Sequence, residues 1–75
     1  MKKYIIEAKN IAIYKDHIIF KQEVIQEDET LEQLAINFLD SIDSGWYNVD
    51  IYEENGKKIF NRRYDNYKKQ WFRRY

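Results

Sequence analysis

The sequence predicts an α+β fold: an antiparallel sheet of two hairpins with one helix packed across it, in the order β-β-α-β-β. Three observations predict it. Residues Tyr4 to Ile25 are rich in Ile, Val, Tyr and Phe, which suit a pleated, half-buried surface. Leu31, Leu34, Ala35, Phe38, Leu39 and Ile42 recur at helical spacing. Asn55-Gly56, the strongest short hairpin signal, separates two further strand-like runs.

The first hairpin is expected within Tyr4 to Ile25. Ile11 and Ile13 alternate with Ala12 and Tyr14, Lys15-Asp16-His17 interrupts the run, and Ile18 to Ile25 resumes it. The tight turn is placed near Asp16, and Tyr4 to Glu7 reads either as a separate short strand or as part of a long first one. Gln26 to Thr30 is polar and ends the second strand. Thr30 and Gln33 make a capping-box pattern that starts the helix, and Gly45 is its expected stop. Trp46 to Glu54 and Lys57 to Tyr64 then form the second hairpin. A two-residue turn at Asn55-Gly56, with positive φ at both residues, pairs Ile51 with Phe60 and Tyr47 with Tyr64, with Val49 between them on one face. The tail from Asp65 to Tyr75 reads in two ways. Tyr64, Tyr67, Trp71 and Tyr75 share a helical stripe that Asp65 would cap, giving a short helix, or the segment is extended.

Seventy-five residues make a single domain, 1–75, with a thin core: a chain this short buries roughly 60% of its unfolded surface. The composition is globular, 44% hydrophobic and 17% aromatic. Cysteine is absent, which excludes disulfides, thiolate chemistry and Cys-based zinc sites. The apolar run at the N-terminus stops at Glu7, too early for a signal peptide, and no segment approaches the roughly 20 apolar residues of a membrane span. The expectation is a soluble, cytoplasmic protein with no membrane partner. Abundant Ile, Lys, Asn and Tyr point to an AT-rich coding genome, as in low-GC bacteria and their phages.

Catalysis is not expected, and no catalytic residue is assigned. His17 is the lone histidine, which leaves a metal site or a histidine-based triad without partners. There is no glycine-rich phosphate loop and no cofactor motif. The pattern leaves the oligomeric state open.

The charges are sorted along the chain. Between Gln22 and Gly56 there is no Lys or Arg, while Glu23, Glu27, Asp28, Glu29, Glu32, Asp40, Asp43, Asp50, Glu53 and Glu54 all fall there. From Lys57 onward eight bases face only Asp65, so a net charge of zero hides an acidic middle and a basic end. One reading is internal neutralisation: the expected register sets Asp50 opposite Asn61, with Arg63 diagonal to it, and Glu53 opposite Lys58. The other is a surface for a basic protein partner, a nuclease among the candidates, formed by Glu32, Ile36, Asp40, Asp43 and Asp50. Asp40 and Asp43 sit near the helix C-terminus, where the macrodipole disfavours anions by roughly 0.3–1 kcal/mol each. Ile36 projects between these acids, where it either serves as an apolar anchor for a partner or lies under the edge of the sheet or the tail.

The run Phe38-Leu39-Asp40-Ser41-Ile42-Asp43-Ser44-Gly45-Trp46 resembles the helix end and Gly-Trp exit of small phage-encoded anti-CRISPR proteins that inhibit a type II CRISPR nuclease. The likeness covers less than about a fifth of the chain and implies a non-enzymatic inhibitor. Some of these proteins present carboxylates where DNA phosphates would lie, which implies such a role for Glu32, Asp40, Asp43 and Asp50. The alternative is a nucleic-acid-binding protein that uses its C-terminal segment. All four arginines lie there, and Arg62, Arg63, Tyr67, Trp71, Arg73 and Arg74 interleave cations with rings that bases stack on. The competing structural role for that segment is packing of Tyr67 and Trp71, with Tyr75 a further candidate, onto the sheet while their charged neighbours face water.

Overall fold

The structure is a computed structural model that describes residues 2–12 and 19–73. The elements are β1 (Lys2–Asn10), β2 (Ile19–Gln26), α1 (Leu31–Leu39), β3 (Trp46–Glu53), β4 (Lys58–Asp65) and β5 (Gln70–Trp71). They form one antiparallel sheet in the order β2-β1-β3-β4-β5. The α+β class and the β-β-α-β-β run are therefore present, with two differences from expectation: a fifth strand is added, and β1 lies inside the sheet between β2 and β3. The expected turn near Asp16 lies outside the described residues.

Sequence chemistry explains the strand order. Along β1, Tyr4, Ile6 and Ala8 are buried on one face. Their partners on β2 are Val24, Gln22 and Phe20, a weaker set with a polar residue at its centre. The more apolar strand takes the interior, and β2 goes to the edge. Both β2 and β3 run antiparallel to β1, so β2-α1-β3 is a split crossover with β1 between its strands. The core joins Tyr4, Ile6 and Ala8 to Tyr47, Val49 and Ile51 of β3, Tyr64 of β4, and Leu34, Ala35, Phe38 and Leu39 of α1.

The helix starts as its sequence predicts. Thr30 is the N-cap, and its hydroxyl accepts from the Gln33 backbone N–H at 3.2 Å. The reciprocal half of the box is missing, because Gln33 donates its side-chain amide to Asn37 instead. The helix ends at Leu39, well before Gly45. Ser41 donates its hydroxyl to the Phe38 carbonyl at 2.6 Å, and the Ser41 and Ile42 backbone N–H groups bond Phe38 and Leu39, three residues back. This local hydroxyl-to-carbonyl competition tightens and stops the last turn, and Ile42 is only partly buried. Gly45 serves close packing: a Cβ there would sit 2.9 Å from the Asn10 amide and 3.2 Å from the Tyr47 ring.

The second hairpin keeps the expected register and changes its turn. Ile51 pairs with Phe60, Asp50 with Asn61 and Tyr47 with Tyr64. The register then slips between Ile51 and Tyr52, so that Tyr52 faces Lys58. The slip lengthens the loop to three residues. Gly56 N–H bonds Glu53 O at 2.9 Å, Glu53 N–H bonds Lys57 O, and only Gly56 takes positive φ, at 90°. This is a turn closed by a left-handed glycine, and Asn55 adopts no positive φ. The expected facing of Glu53 and Lys58 is lost with the slip.

Over its described residues, 65–73, the tail is not a helix. Asp65 accepts at Oδ1 from the Tyr67 and Lys68 backbone N–H groups, at 2.9 and 3.1 Å, as a helix cap would. Lys69 then turns the chain with φ of 58°, and Gln70–Trp71 pairs with β4.

Candidate functional site

Glu32, Ile36 and Asp40 are spaced by four and so follow one stripe of the helix surface; Asp43 lies in the turn beyond it. Glu32, Asp40 and Asp43 are exposed, while Ile36 is half-buried against the edge of the core. No basic residue occupies the last helical turn. Glu32, Ile36 and Asp40 of the expected acidic surface thus share a stripe, and Asp43 lies past the helix end.

Asp50 is not among them. Along β3, Tyr47, Val49 and Ile51 point into the helix-covered core, so Asp50 projects from the opposite face of the sheet. It is 6% exposed. Asn61 donates to its Oδ1 at 2.6 Å, Asn48 to its Oδ2 at 3.2 Å, and the Lys58 ammonium stands 3.5 Å away. Its register partner on β1 is Glu7, another anion, which explains the need for these donors. Asp50 holds the uncovered face together and is removed from the candidate surface.

Asp40 has an internal partner as well. The Lys69 ammonium lies 3.3 Å from its carboxylate and also donates to Asn66 Oδ1 at 2.9 Å. Asn66 is 1% exposed. Its amide donates to the Leu39 and Asp43 carbonyls at 2.9 and 3.0 Å, and its backbone N–H bonds Gly45 O. The turn after β4 therefore closes the helix C-terminus with an amide and a nearby cation, which offsets the unfavourable position of Asp40. Among the described residues Glu32 and Asp43 make no ion pair.

The two buried tyrosines anchor this end of the molecule. Tyr47 donates its hydroxyl to Asp43 O at 2.8 Å. Burial raises its pKa, the Asp43 charge and Tyr67 add to the rise, and a hydrogen bond with Asn10 opposes it. Burial likewise raises Tyr64, with Asp40 and Asp65 adding to the effect. Desolvation pushes the Asp65 carboxyl upward. Hydrogen bonds from Lys68 N–H, Tyr67 N–H and Trp46, with the Lys68 charge, outweigh it and hold the carboxyl below its ordinary range.

The alternative nucleic-acid set does not form one surface. Phe60, Arg62 and Tyr64 share a face of β4, and Trp71 lies across them. Its ring is 5.6 Å from Phe60 and 4.9 Å from Tyr64, with the Arg62 guanidinium 4.7 Å above it. Trp71 is packing material, as the structural reading of the tail anticipates. Arg63 projects from the other face, opposite Asn48. Arg73 is exposed, and Arg74 lies outside the described residues. Tyr67 does not pack into the sheet as the structural reading has it: it is 65% exposed and meets Trp46, itself 43% exposed, edge to face at 6.0 Å.

Sequence reasoning missed Asn66 and Lys69 as positioning residues and Trp46 as an exposed ring. The Asp65-Asn66 dipeptide was the available signal, because both side chains favour turns through local hydrogen bonds. Among the described residues no group of three or more His, Cys, Asp or Glu could hold a metal ion, and no helix is long and apolar enough to cross a membrane. Comparison with known proteins matched no family model, no curated protein and no solved structure.

Proposed function

We propose that this chain is a non-enzymatic protein-binding module that presents the outer face of α1 and the following turn to a basic partner. The observation that carries the reading is the pairing pattern of the acids: Asp40 is satisfied by Lys69, whereas Glu32 and Asp43 stay exposed without an ion pair among the described residues, with the half-buried Ile36 on the helix stripe of Glu32. Carboxylates flanking a half-buried apolar side chain suit a partner whose basic groove accepts phosphates. The likeness of residues 38–46 to anti-CRISPR inhibitors supports an inhibitor of a host nucleic-acid-handling enzyme, made by a phage or mobile element. The test is affinity capture from host lysate on wild-type bait and on a Glu32→Lys/Asp43→Lys bait, each with and without nuclease treatment. Nuclease-resistant capture that the double variant loses supports the proposal. Equal capture by both baits sinks it.

A second reading rests on Trp46 and Tyr67, an exposed aromatic pair of the kind on which single-stranded bases stack. It expects an oligonucleotide to bind at low salt, and Arg73→Ala/Arg74→Ala to flatten the salt dependence. Absence of binding to any oligonucleotide at low salt removes it.

A further inference from the structure

The strand β2 is an edge. Its eight residues pair with β1 in an unbroken register from Lys2–Gln26 to Lys9–Ile19, and among the described residues no strand covers its outer side. It therefore offers a row of backbone donors and acceptors roughly 27 Å long at about 3.4 Å per residue. Natural edges are usually blunted by a bulge, a proline, a short length or charged side chains; β2 lacks the first three, and its two charges, Lys21 and Glu23, are of opposite sign. Ile19 and Ile25, on the face not covered by the helix, are 49% and 52% exposed.

The side chains of β2 are complementary to their own reverse. Read outward from Gln22, Lys21 mirrors Glu23, Phe20 mirrors Val24 and Ile19 mirrors Ile25. We propose that β2 pairs antiparallel with β2 of a second copy of this chain about a two-fold axis at Gln22, joining two five-stranded sheets into one of ten. In that register Lys21 faces Glu23 of the second copy, and the symmetry makes this pair twice. Ile19 faces Ile25 on the same uncovered face, again twice. On the helix side Phe20 faces Val24, and Gln22 faces its own copy. Phe20 of the second copy comes to the open side of the groove of about 310 Å³ that Val24, Leu34 and Phe38 line between β2 and α1.

The charges also select this register. The two-fold axis stands perpendicular to the sheet, so each residue faces one on the same side, and slips occur in steps of two. Centring the axis on Lys21 sets two lysines opposite each other, and centring it on Glu23 sets two glutamates opposite. Parallel in-register pairing stacks like on like throughout. Opposed like charges destabilise a strand pair and opposite charges stabilise it. Glu23 already meets Lys3 of its own chain at 3.5 Å, with both side chains largely exposed, so the second copy's Lys21 would complete a three-membered charge row.

Because Lys21 and Glu23 are exposed, their reversal leaves the core of the single chain untouched. The experiment is sedimentation equilibrium across a concentration series on four samples: wild type, Lys21→Glu, Glu23→Lys, and an equimolar mixture of the two variants. Wild type should show a concentration-dependent dimer. Each variant alone opposes like charges twice and should self-associate roughly tenfold or more weakly. In the mixture every facing pair is again of opposite sign. The carboxylate introduced in one variant meets the ammonium introduced in the other, and the native Glu23 of the first meets the native Lys21 of the second. The mixture should therefore recover wild-type association as a heterodimer. Any effect within one chain, such as the carboxylate introduced by Lys21→Glu facing Glu7 across β1, is the same before and after mixing. A wild type that stays monomeric up to millimolar concentration overturns the proposal. So does a single variant that dimerises as well as wild type, or a mixture that stays monomeric.

Discussion

Lys69 reaches back 29 positions to set its ammonium 3.3 Å from the carboxylate of Asp40, at the end of the helix where a carboxylate is least welcome. The apparent misplacement of Asp40 is therefore an element of the fold, and the case for a partner surface passes to Glu32 and Asp43.

Both members of that pair are more than half exposed, so their coupling is small. A double-mutant cycle with Asp40→Ala and Lys69→Ala should give a coupling of under about 1 kcal/mol, screened further by salt. Chemical denaturation of the four proteins at two ionic strengths measures it. A coupling several times larger would mean that solvent reaches the pair far less than its exposure indicates.

Asn66 should matter more than its charged neighbour. Its amide donates to two carbonyls that each keep one other donor, Ile42 N–H on Leu39 O and the Tyr47 hydroxyl on Asp43 O, so Asn66→Ala removes two hydrogen bonds at about 0.5–1.5 kcal/mol each. Asn66→Asp should be no better near neutrality, because a carboxylate has no proton to donate and would face two carbonyl oxygens. Thermal melts that leave either variant at the wild-type midpoint would show that the helix end closes without residue 66.

The turn between β3 and β4 separates two neighbouring residues by mutation. Gly56 holds φ of 90° in open space, so Gly56→Ala should cost about 1–2 kcal/mol through backbone strain alone. Asn55 lacks positive φ and contributes an exposed bond from Lys57 N–H to its Oδ1 at 3.0 Å. Asn55→Ala should cost about 0.5–1 kcal/mol. Equal, large losses at both positions would indicate the two-residue turn that the dipeptide suggested.

Asp65 gives the acid limb of stability a specific contributor. Its pKa is lowered in the folded chain, so it stabilises above its unfolded value, and that stability is lost as pH falls through the folded one. Asp65→Asn keeps an oxygen for the Tyr67 and Lys68 N–H groups and removes the titration. Denaturant midpoints followed downward from pH 5 should fall less steeply for this variant. The same slope in both proteins would reassign the acid sensitivity elsewhere. At the other extreme, Tyr47 and Tyr64 are raised from 10.0. Their stabilising share is complete below the unfolded value and lost as pH climbs through the folded one.

The parts legible in the sequence share a physical character. Thr30 as cap, the stripe from Leu34 to Leu39, and the pairing of Tyr47 with Tyr64 all rest on local periodicity or on a single turn. The register survived an error in the turn because the slip after Ile51 compensated for the longer loop. What stayed hidden depends on distant partners. Nothing near Trp71 says that it will lie on Phe60 and Tyr64, and the stripe of tyrosines in the tail fits a helix as well as it fits a strand pairing. The acidic set was read as a single surface because periodicity places residues on an element. Which face of the sheet Asp50 occupies became visible only once Tyr47, Val49 and Ile51 were seen to fill the core.

The amide that closes α1 belongs to residue 66, 27 positions after the carbonyl of Leu39 that it satisfies. During synthesis the helix segment is therefore made long before its terminal partner exists. A ribosome-bound chain from which nothing beyond β3 has emerged carries an α1 whose end has only the short-range bonds of Ser41 and Ile42, and whose core lacks the β4 ring of Tyr64. Such a nascent chain should remain protease-sensitive across residues 31–45 and become resistant once the turn after β4 has emerged. Completion of the native state thus waits for the turn after β4, and truncations before residue 66 that spare every helix residue should still weaken the helix.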